Sequence, residues 1–433
     1  AEGERVLGTI PEDYTTAVGE IDTLKKSKAE IDDTAIDGDT WSSKHIVDML
    51  CPKVEKSGTL VQMDRMLGGY PLGVKVSWEP TQEGSGDPSP ENIRPIKGRT
   101  EVKVERCGEN LLNFPVKKTV YGINVTTESD GRYHLKGTLE KNGFGCTIGT
   151  IYLPAGTYAV KKVSFSTSLN ANAIVVTFRK ITEHGGSEGW IETTVNSGSQ
   201  NIGSLSKPTS ISISFYGSAE NIKSGTVIDT YFELILVSGT TAPTTYTPYI
   251  GSTSTLAFPS TVYGGEVDAV TGEGQEIWKL VTLDGTEEWK TWGVNANNAA
   301  VTGFYTYGIN DYDVKEKLGK CSHNAQDKPG TWGGGNIGIG FSATGSNRYF
   351  IYNVPTAILS DISNSAAVVE SLKAYFAAQL AAGTPVQVAY RLADPKPFTA
   401  TGGAAIPALA GTNTVLTDAD NMVVTGRADP IQT

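Results

Sequence analysis

The chain has 433 residues and a net charge of −11, with 49 glycines, 19% charged residues and 9% aromatic residues. This length predicts three or four domains, and low charge with abundant glycine is typical of folds with many short strands. The acidic balance argues against nucleic acid or an anionic membrane as partner, and no stretch approaches the roughly 20 apolar residues of a membrane span.

The four cysteines are widely spaced along the chain. Cys51, Cys107, Cys146 and Cys321 fit neither a metal-binding pair nor a disulfide framework. We therefore expect four reduced thiols in a protein that folds in a cytoplasm.

Residues 1–50 are predicted to be helical and to carry much of the acidic charge. The spacing of a coiled-coil seam recurs there at Ala17, Ile21, Leu24, Lys28, Ile31 and Ala35, and the charged Lys28 weakens this seam. The pattern favours an oligomerisation or attachment segment. An ordinary amphipathic helix packed on a neighbour is the alternative. A second short helix is expected at 42–50, before Pro52.

Residues 51–106 are predicted to form a small β module. Val74, Val76 and Trp78 alternate with polar residues, as in a half-buried strand. A loop rich in proline and glycine follows at 79–95, and residues 97–106 alternate again.

Residues 107–248 are predicted to form a β-sandwich of the jelly-roll kind. The expected strands lie at 121–126, 133–139, 157–167, 173–179, 210–216 and 227–237. The remainder, 249–433, is predicted to be a β-rich domain with one helix at 365–382. In that helix Ser365 is the expected N-cap and Gly383 the stop signal, before a strand from Val386 to Leu392. The predicted fold class is mainly β and multidomain, with a helical N-terminal segment.

Several short sequences occur in an order that resembles one group of proteins. They are GSGDPSPENIRPI at 84–96, ENLL at 109–112, ELILV at 233–237, APTTYTPY at 242–249, VYGGEVDAVTG at 262–272 and PVQVAYRL at 385–392. Together they resemble tail and baseplate proteins of phages and prophages of Gram-positive bacteria. The resemblance implies a jelly-roll domain similar to carbohydrate-binding modules, virion structure and host attachment. It brings no catalytic motif.

Motifs that carry chemistry are scarce. Cys321 and His323 are close in sequence but lack a matching pair at zinc spacing, and the glycine-rich run 331–340 lacks a phosphate-binding lysine. Paired carboxylates occur at 287–288 and 311–313, and oxygen ligands suited to calcium occur at 418–421. We interpret these as solvated or turn residues, and expect no catalytic residue, no metal and no cofactor.

Aromatic residues give the clearest binding hypothesis. An exposed aromatic ring stacks on the apolar face of a sugar while neighbouring groups hydrogen-bond its hydroxyls. The candidates for glycan binding are Trp190, Trp289, Trp292, Trp332, Tyr305 and Tyr307. Packing in a core is the alternative for each of them.

The sequence thus predicts a structural virion protein of a phage tail tip, baseplate or tail fibre, made in the host cytoplasm. Fibres and baseplates carry several copies of each subunit, so the expected assembly is a homotrimer joined through the seam at 17–35. Its further expected partners are other tail or baseplate proteins and a host surface polysaccharide, with no nucleic acid and no membrane insertion. A tail-borne glycan depolymerase and a bacterial surface adhesin are the alternatives.

Overall fold

The structure is a computed structural model. It describes residues 53–89, 91–166, 173–181, 187–193, 200–291, 302–306, 311, 313, 319–323, 338–344, 347–354, 359 and 364–429. This part of the chain is mainly β with one helix, as predicted. The predicted seam at 17–35 and the short helix at 42–50 lie outside the described residues.

The strands fall into three groups along the chain. Residues 53–107 contain β1 Lys53–Gly58, β2 Leu60–Met66, β3 Pro71–Trp78, β4 Thr81–Gln82, β5 Ile96–Lys97 and β6 Arg99–Cys107. Residues 117–238 contain β7 Lys117–Val120, β8 Ile123–Thr127, β9 Tyr133–Thr138, β10 Phe144–Leu153, β11 Gly156–Ser166, β12 Val175–Ile181, β13 Ser187–Thr193, β14 Gln200–Leu205, β15 Thr209–Gly217 and β16 Val227–Ser238. The last group contains β17 Gly251–Val262, β18 Gly264–Asp268, β19 Glu273–Leu283, β20 Trp289–Thr291, β21 Thr302–Thr306, β22 Gly319–Cys321, β23 Gly338–Thr344, β24 Asn347–Val354, α1 Ser365–Ala381, β25 Val386–Thr399, β26 Ile406–Pro407, β27 Gly411–Thr417 and β28 Asn421–Arg427.

The first and last groups of strands form one unit, here called the outer domain. Its two main sheets have the orders β1-β28-β3-β18-β19-β25-β22, with β26 paired to β3, and β17-β6-β27-β2. Two smaller sheets have the orders β20-β21-β24-β23 and β4-β5. The two main sheets enclose an apolar core because alternate residues of each strand face inward, as Leu72, Val74, Val76 and Trp78 do in β3.

This pairing corrects the predicted division of the chain. Residues 51–106 do not form a β module separate from 249–433, because β1 pairs with β28 and β2 pairs with β27. Neither segment alone supplies both partners of these ladders. The alternation of apolar and polar residues predicts where a strand lies. It does not predict which distant strand pairs with it.

The strands of residues 117–238 form a jelly-roll-like sandwich, here called the inserted sandwich. Its sheets have the orders β14-β11-β16-β9-β8-β7 and β10-β15-β12-β13, and their inner faces share one apolar core. All six strands predicted from alternation are present within a few residues. Strands β7, β10, β13 and β14 were not predicted.

The inserted sandwich leaves and re-enters the outer domain at a single place. Cys107 of β6 and Gly251 of β17 are register partners, and the Gly108 amide donates to the Ile250 carbonyl at 2.9 Å. The ends of the insertion are therefore adjacent across one antiparallel ladder.

Asn110 of the ENLL sequence fastens this junction to the sandwich. It is buried, and its Nδ2 donates to the carbonyls of Leu234 at 3.2 Å and Thr247 at 3.0 Å. Its Oδ1 accepts from the amides of Leu112 at 3.1 Å and Leu236 at 3.2 Å. The side-chain amide thus uses two donors and two acceptor positions, which is its full capacity.

The loop between β4 and β5 has an internal scaffold. The Arg94 guanidinium donates to the carbonyls of Gln82 at 2.9 Å, Glu83 at 2.7 Å, Gly84 at 2.9 Å and Gly86 at 2.5 Å. Asn92 adds bonds from Nδ2 to two further loop carbonyls. The polar residues of the 84–96 sequence therefore order their own loop by satisfying backbone groups that no strand pairs.

Helix α1 confirms the predicted helix with a shift of one residue at its start. Asn364, and not Ser365, is the N-cap, since its Oδ1 accepts from the amides of Ala366 and Ala367. Gly383 adopts φ +77°, and its amide and that of Thr384 donate back to Leu380 and Gln379 at 3.0 Å. This is the Schellman arrangement that favours glycine. Among the described residues no helix is long and apolar enough to cross a membrane.

Candidate functional site

The outer face of the β10-β15-β12-β13 sheet carries a row of hydroxyl groups. In β15 the residues Ile211, Ile213 and Phe215 are buried in the sandwich core. Because side chains alternate along a strand, Ser210, Ser212 and Ser214 lie on the opposite face and are half-buried.

Strand β10 doubles this row. Thr150 is the register partner of Ser212 and Thr147 that of Ser214, with their hydroxyls 2.9 Å apart in the second pair. A β-bulge after Thr147 shifts the register by one residue, which keeps Thr150 on the outer face. Gly149 in the bulge has no room for a side chain, since a Cβ there would lie 2.3 Å from the Phe114 ring.

Two exposed tyrosines end the row. Tyr152 is the register partner of Ser210 and is 52% exposed, while Tyr216 at the far end of β15 is 41% exposed. Six residues of strand separate the two ends, which corresponds to about 20 Å. We call Thr147, Thr150, Ser210, Ser212 and Ser214 the hydroxyl strip. The serine and threonine side chains of the strip carry no charge.

A cleft continues from Tyr152 to the boundary with the outer domain. It has a volume of about 300 Å³, and its polar and aromatic walls include Lys103, Glu105, Asn113, Phe114, Thr150 and Asp418. Clefts between domains are common ligand sites because they bury a ligand on several sides. Tyr152 lines both this cleft and the end of the hydroxyl strip.

Asp418 and Asp420 are acidic residues near Tyr152, and both lie close to Arg99. Arg99 lies 3.7 Å from Asp418 and 3.8 Å from Asp420, between nitrogen and carboxylate oxygen. Asp418 also accepts from the Lys103 amide at 2.9 Å, and Asp420 accepts from the Glu79 amide at 2.7 Å. These contacts support the interpretation of 418–421 as a turn. Among the described residues no group of three or more His, Cys, Asp or Glu side chains is placed to hold a metal ion.

The Tyr152 hydroxyl keeps its proton at this end of the strip. Burial raises the pKa of Tyr152 above its ordinary value, Asp418 and Asp420 raise it further, and Arg99 acts in the opposite direction. The phenol is therefore both donor and acceptor to a ligand at neutral pH.

Among the aromatic residues proposed from the sequence, only Trp289 has a side chain that the structure describes. Trp289 is 4% exposed and packs against Phe376 of α1, with ring centroids 5.6 Å apart. The expectation that Trp289 offers a ring to a sugar is therefore wrong, because its faces are covered by the core. Tyr305 lies in β21, but its side chain is outside the described residues, as are Trp292, Tyr307 and Trp332.

Trp190 lies in the same sheet as the strip. It is the register partner of Arg179 in β12, and Arg179 is the partner of Ser212. Trp190, Arg179, Ser212 and Thr150 thus occupy one row across the four strands. The Trp190 side chain itself is outside the described residues.

The sequence analysis missed Tyr152 and Tyr216. The alternation of serine and isoleucine at 210–213 was a signal for a hydroxyl-bearing face. The residues of β10 on this face were not predicted, because the bulge after Thr147 interrupts the alternation of apolar and polar residues in that strand.

The only close Ser–His pair among the described side chains is buried. Ser322 Oγ lies 2.7 Å from His323 Nδ1 and accepts from the Gln387 amide at 2.9 Å. Neither residue is exposed, and burial lowers the pKa of His323 to about 4. The imidazole is neutral at pH 7, and the pair fastens residues 321–323 to β25.

The carboxylates considered for hydrolysis also have local partners. Glu287 accepts from the amides of Asp284 at 3.0 Å and Gly285 at 3.1 Å, which closes a turn. Asp311 accepts from the Tyr390 hydroxyl at 2.6 Å and from Lys279 at 3.0 Å.

Comparison with known proteins identifies no family. No model of a protein family matches the chain, and no curated protein matches it. A structure of accessory secretory protein 1, 2 and 3 from Streptococcus pneumoniae is 11% identical, with a TM-score of 0.23, and covers 30% of this chain and 95% of that one.

Two further structures are similarly distant. The Gap123 glycosylation-associated complex of Streptococcus agalactiae is 8% identical, with a TM-score of 0.21, and covers 30% of this chain and 44% of that one. The VP2 subviral particle of infectious bursal disease virus is 7% identical, with a TM-score of 0.13, and covers 88% and 82%. These TM-scores are too low for the similarities to bear on function.

Proposed function

We propose that the chain is a structural protein of a phage tail tip, baseplate or tail fibre that binds a neutral surface polysaccharide of the host. The observation that carries the binding part is the uncharged hydroxyl strip with an exposed tyrosine at each end. The virion part rests on the sequence resemblance described above. Virion location and assembly in the host cytoplasm belong to the same proposal.

The strip suits an extended sugar chain for a chemical reason. Hydroxyl groups exchange hydrogen bonds with sugar hydroxyls, and tyrosine rings stack on the apolar faces of the sugars. Water competes for each of these contacts, so the affinity of one site is expected to be weak. Several linked copies raise the apparent affinity without any new contact.

The binding proposal is tested by replacing both tyrosines with alanine. If each ring contributes about 1 kcal/mol, as an aromatic pair does, each substitution weakens single-site binding roughly fivefold and the double variant roughly thirtyfold. Retention on a panel of purified wall polysaccharides from Gram-positive bacteria measures this effect. The melting temperature is expected to change little because both rings are exposed.

Tyr121→Ala is the matched control. Tyr121 is also 41% exposed, but it lies in the turn between β7 and β8 of the other sheet. Equal losses from Tyr121→Ala and Tyr216→Ala, or no binding by the wild-type protein to any polysaccharide of the panel, would contradict the proposal. Trp190→Ala tests whether the site extends across the row to β13. Release of reducing ends during the assay would point to a depolymerase.

We propose a homotrimer as the source of multivalency. The heptad spacing at 17–35 offers a parallel seam, and light scattering should return three times the 46.0 kDa chain mass. Protein beginning at residue 53 should dissociate at concentrations where the full chain stays assembled. A full-length monomer at micromolar concentration would exclude the trimer.

A further inference from the structure

We propose that a second pocket, in the outer domain, binds an oxyanion, that is, a carboxylate or phosphate group, through Arg106. The pocket has a volume of about 380 Å³ and lies beside the edge strand β17. Its walls include Val104, Arg106, Ser252, Ala404, Ala405 and Ile406. It is distinct from the hydroxyl strip, and the inference does not depend on polysaccharide binding.

Arg106 reaches the pocket through the alternation of β6. Val102 and Val104 of that strand are buried in the core of the outer domain, so Arg106 continues the same face at the strand end. Its register partners are Ser252 on one side and Val415 on the other. Val102, Val104 and Arg106 are alternate residues of β6, so Arg106 occupies a position at which the alternation predicts an apolar residue.

The guanidinium lacks a counter-ion within the described part of the chain. Its only polar contact there is a bond from Nη2 to the Ser252 hydroxyl at 3.1 Å. The Nε atom is buried and has no hydrogen-bond partner among the described residues. A buried donor without an acceptor is unfavourable, and for a charged group the penalty is larger.

The remaining chemistry of the pocket fits an anion attached to a small carbon skeleton. Among the described residues no carboxylate lines the pocket, and the Ser252 hydroxyl, which accepts from Arg106, retains its own proton for a further acceptor. Arginine binds carboxylate and phosphate through its planar fork of donors. Val104, Ile406 and the two alanines offer an apolar wall, and the volume admits a ligand of about the size of one sugar acid.

Thermal unfolding with added ligand tests this inference. Glucuronate and inorganic phosphate are titrated into the millimolar range, with sodium chloride at equal ionic strength as the control. A ligand that binds only the folded protein raises the melting temperature. A rise with glucuronate alone assigns a carboxylate, a rise with phosphate alone assigns a phosphate, and a rise with both assigns a general oxyanion site.

Variants locate the effect. Arg106→Met should weaken binding roughly tenfold to a hundredfold, since a hydrogen bond to a charged group contributes about 1.5–3 kcal/mol. It should not lower the melting temperature without ligand, because the arginine has no carboxylate partner to lose. Ala405→Trp, at an exposed position on the rim, should block binding with the charge intact.

Two results would overturn the inference. The first is a melting temperature that neither ligand raises above the chloride control, which would leave water as the partner of Arg106. The second is a rise that persists unchanged in Arg106→Met, which would place the anion elsewhere on the protein.

Discussion

Replacing Asn110 by alanine is expected to lower the free energy of unfolding of the inserted sandwich by at least about 3 kcal/mol. The substitution removes four hydrogen bonds at a buried position and leaves two amides and two carbonyls without their partner. Each unsatisfied buried group costs roughly 1–3 kcal/mol, and water entering the gap recovers part of this. Urea denaturation measures the loss.

Hydrogen exchange gives a local measure of the same change. The amides of Leu112 and Leu236 donate to Asn110 Oδ1 and should exchange much faster in the variant. Asn221→Ala is the control, because Asn221 is an exposed turn residue between β15 and β16. Its effect should stay within about 0.5 kcal/mol, as for other surface substitutions. Similar losses in the two variants would mean that Asn110 does not hold the junction.

Replacing Trp289 by alanine is expected to destabilise the region around α1 by about 3–5 kcal/mol, the usual cost of deleting a buried tryptophan. Its ring packs on Phe376, and its Nε1 donates to Glu287 at 3.2 Å. Polysaccharide binding should be unchanged at temperatures where the variant is folded. Trp289 lies in β20, outside the inserted sandwich that carries the hydroxyl strip.

The neighbouring Glu288 supplies the control for Trp289. It is exposed, so Glu288→Ala should leave the urea midpoint nearly unchanged. A Trp289→Ala protein with wild-type stability and lost polysaccharide binding would reverse the conclusion and restore Trp289 as a sugar-binding residue.

Trp289 illustrates why sequence alone does not separate a buried aromatic residue from an exposed one. Tryptophan is the largest aromatic side chain and is therefore equally suited to a core and to a sugar platform. Exposure separates these roles, and exposure depends on what packs over the ring. Trp289 is covered by α1, whose sequence lies about 80 residues away, whereas Tyr152 is 52% exposed and Tyr216 is 41% exposed.

Local structure followed from the sequence because its causes are local. Alternation of apolar and polar residues located β3, β15 and β16, and the cap residues located α1 to within one residue. Gly383 ends the helix because glycine adopts a positive φ, here +77°, without steric cost.

Only the tertiary structure decided how these elements combine. The pairing of β1 with β28 joins residues almost 370 positions apart in sequence and merges two predicted modules into one domain. The hydroxyl strip exists because a bulge in β10 brings Thr150 and Tyr152 into register with β15, and the Arg106 pocket exists because β17 and residues 402–406 close around one strand end. Such features depend on contacts between distant segments, and alternation along one strand contains no information about the partner strand.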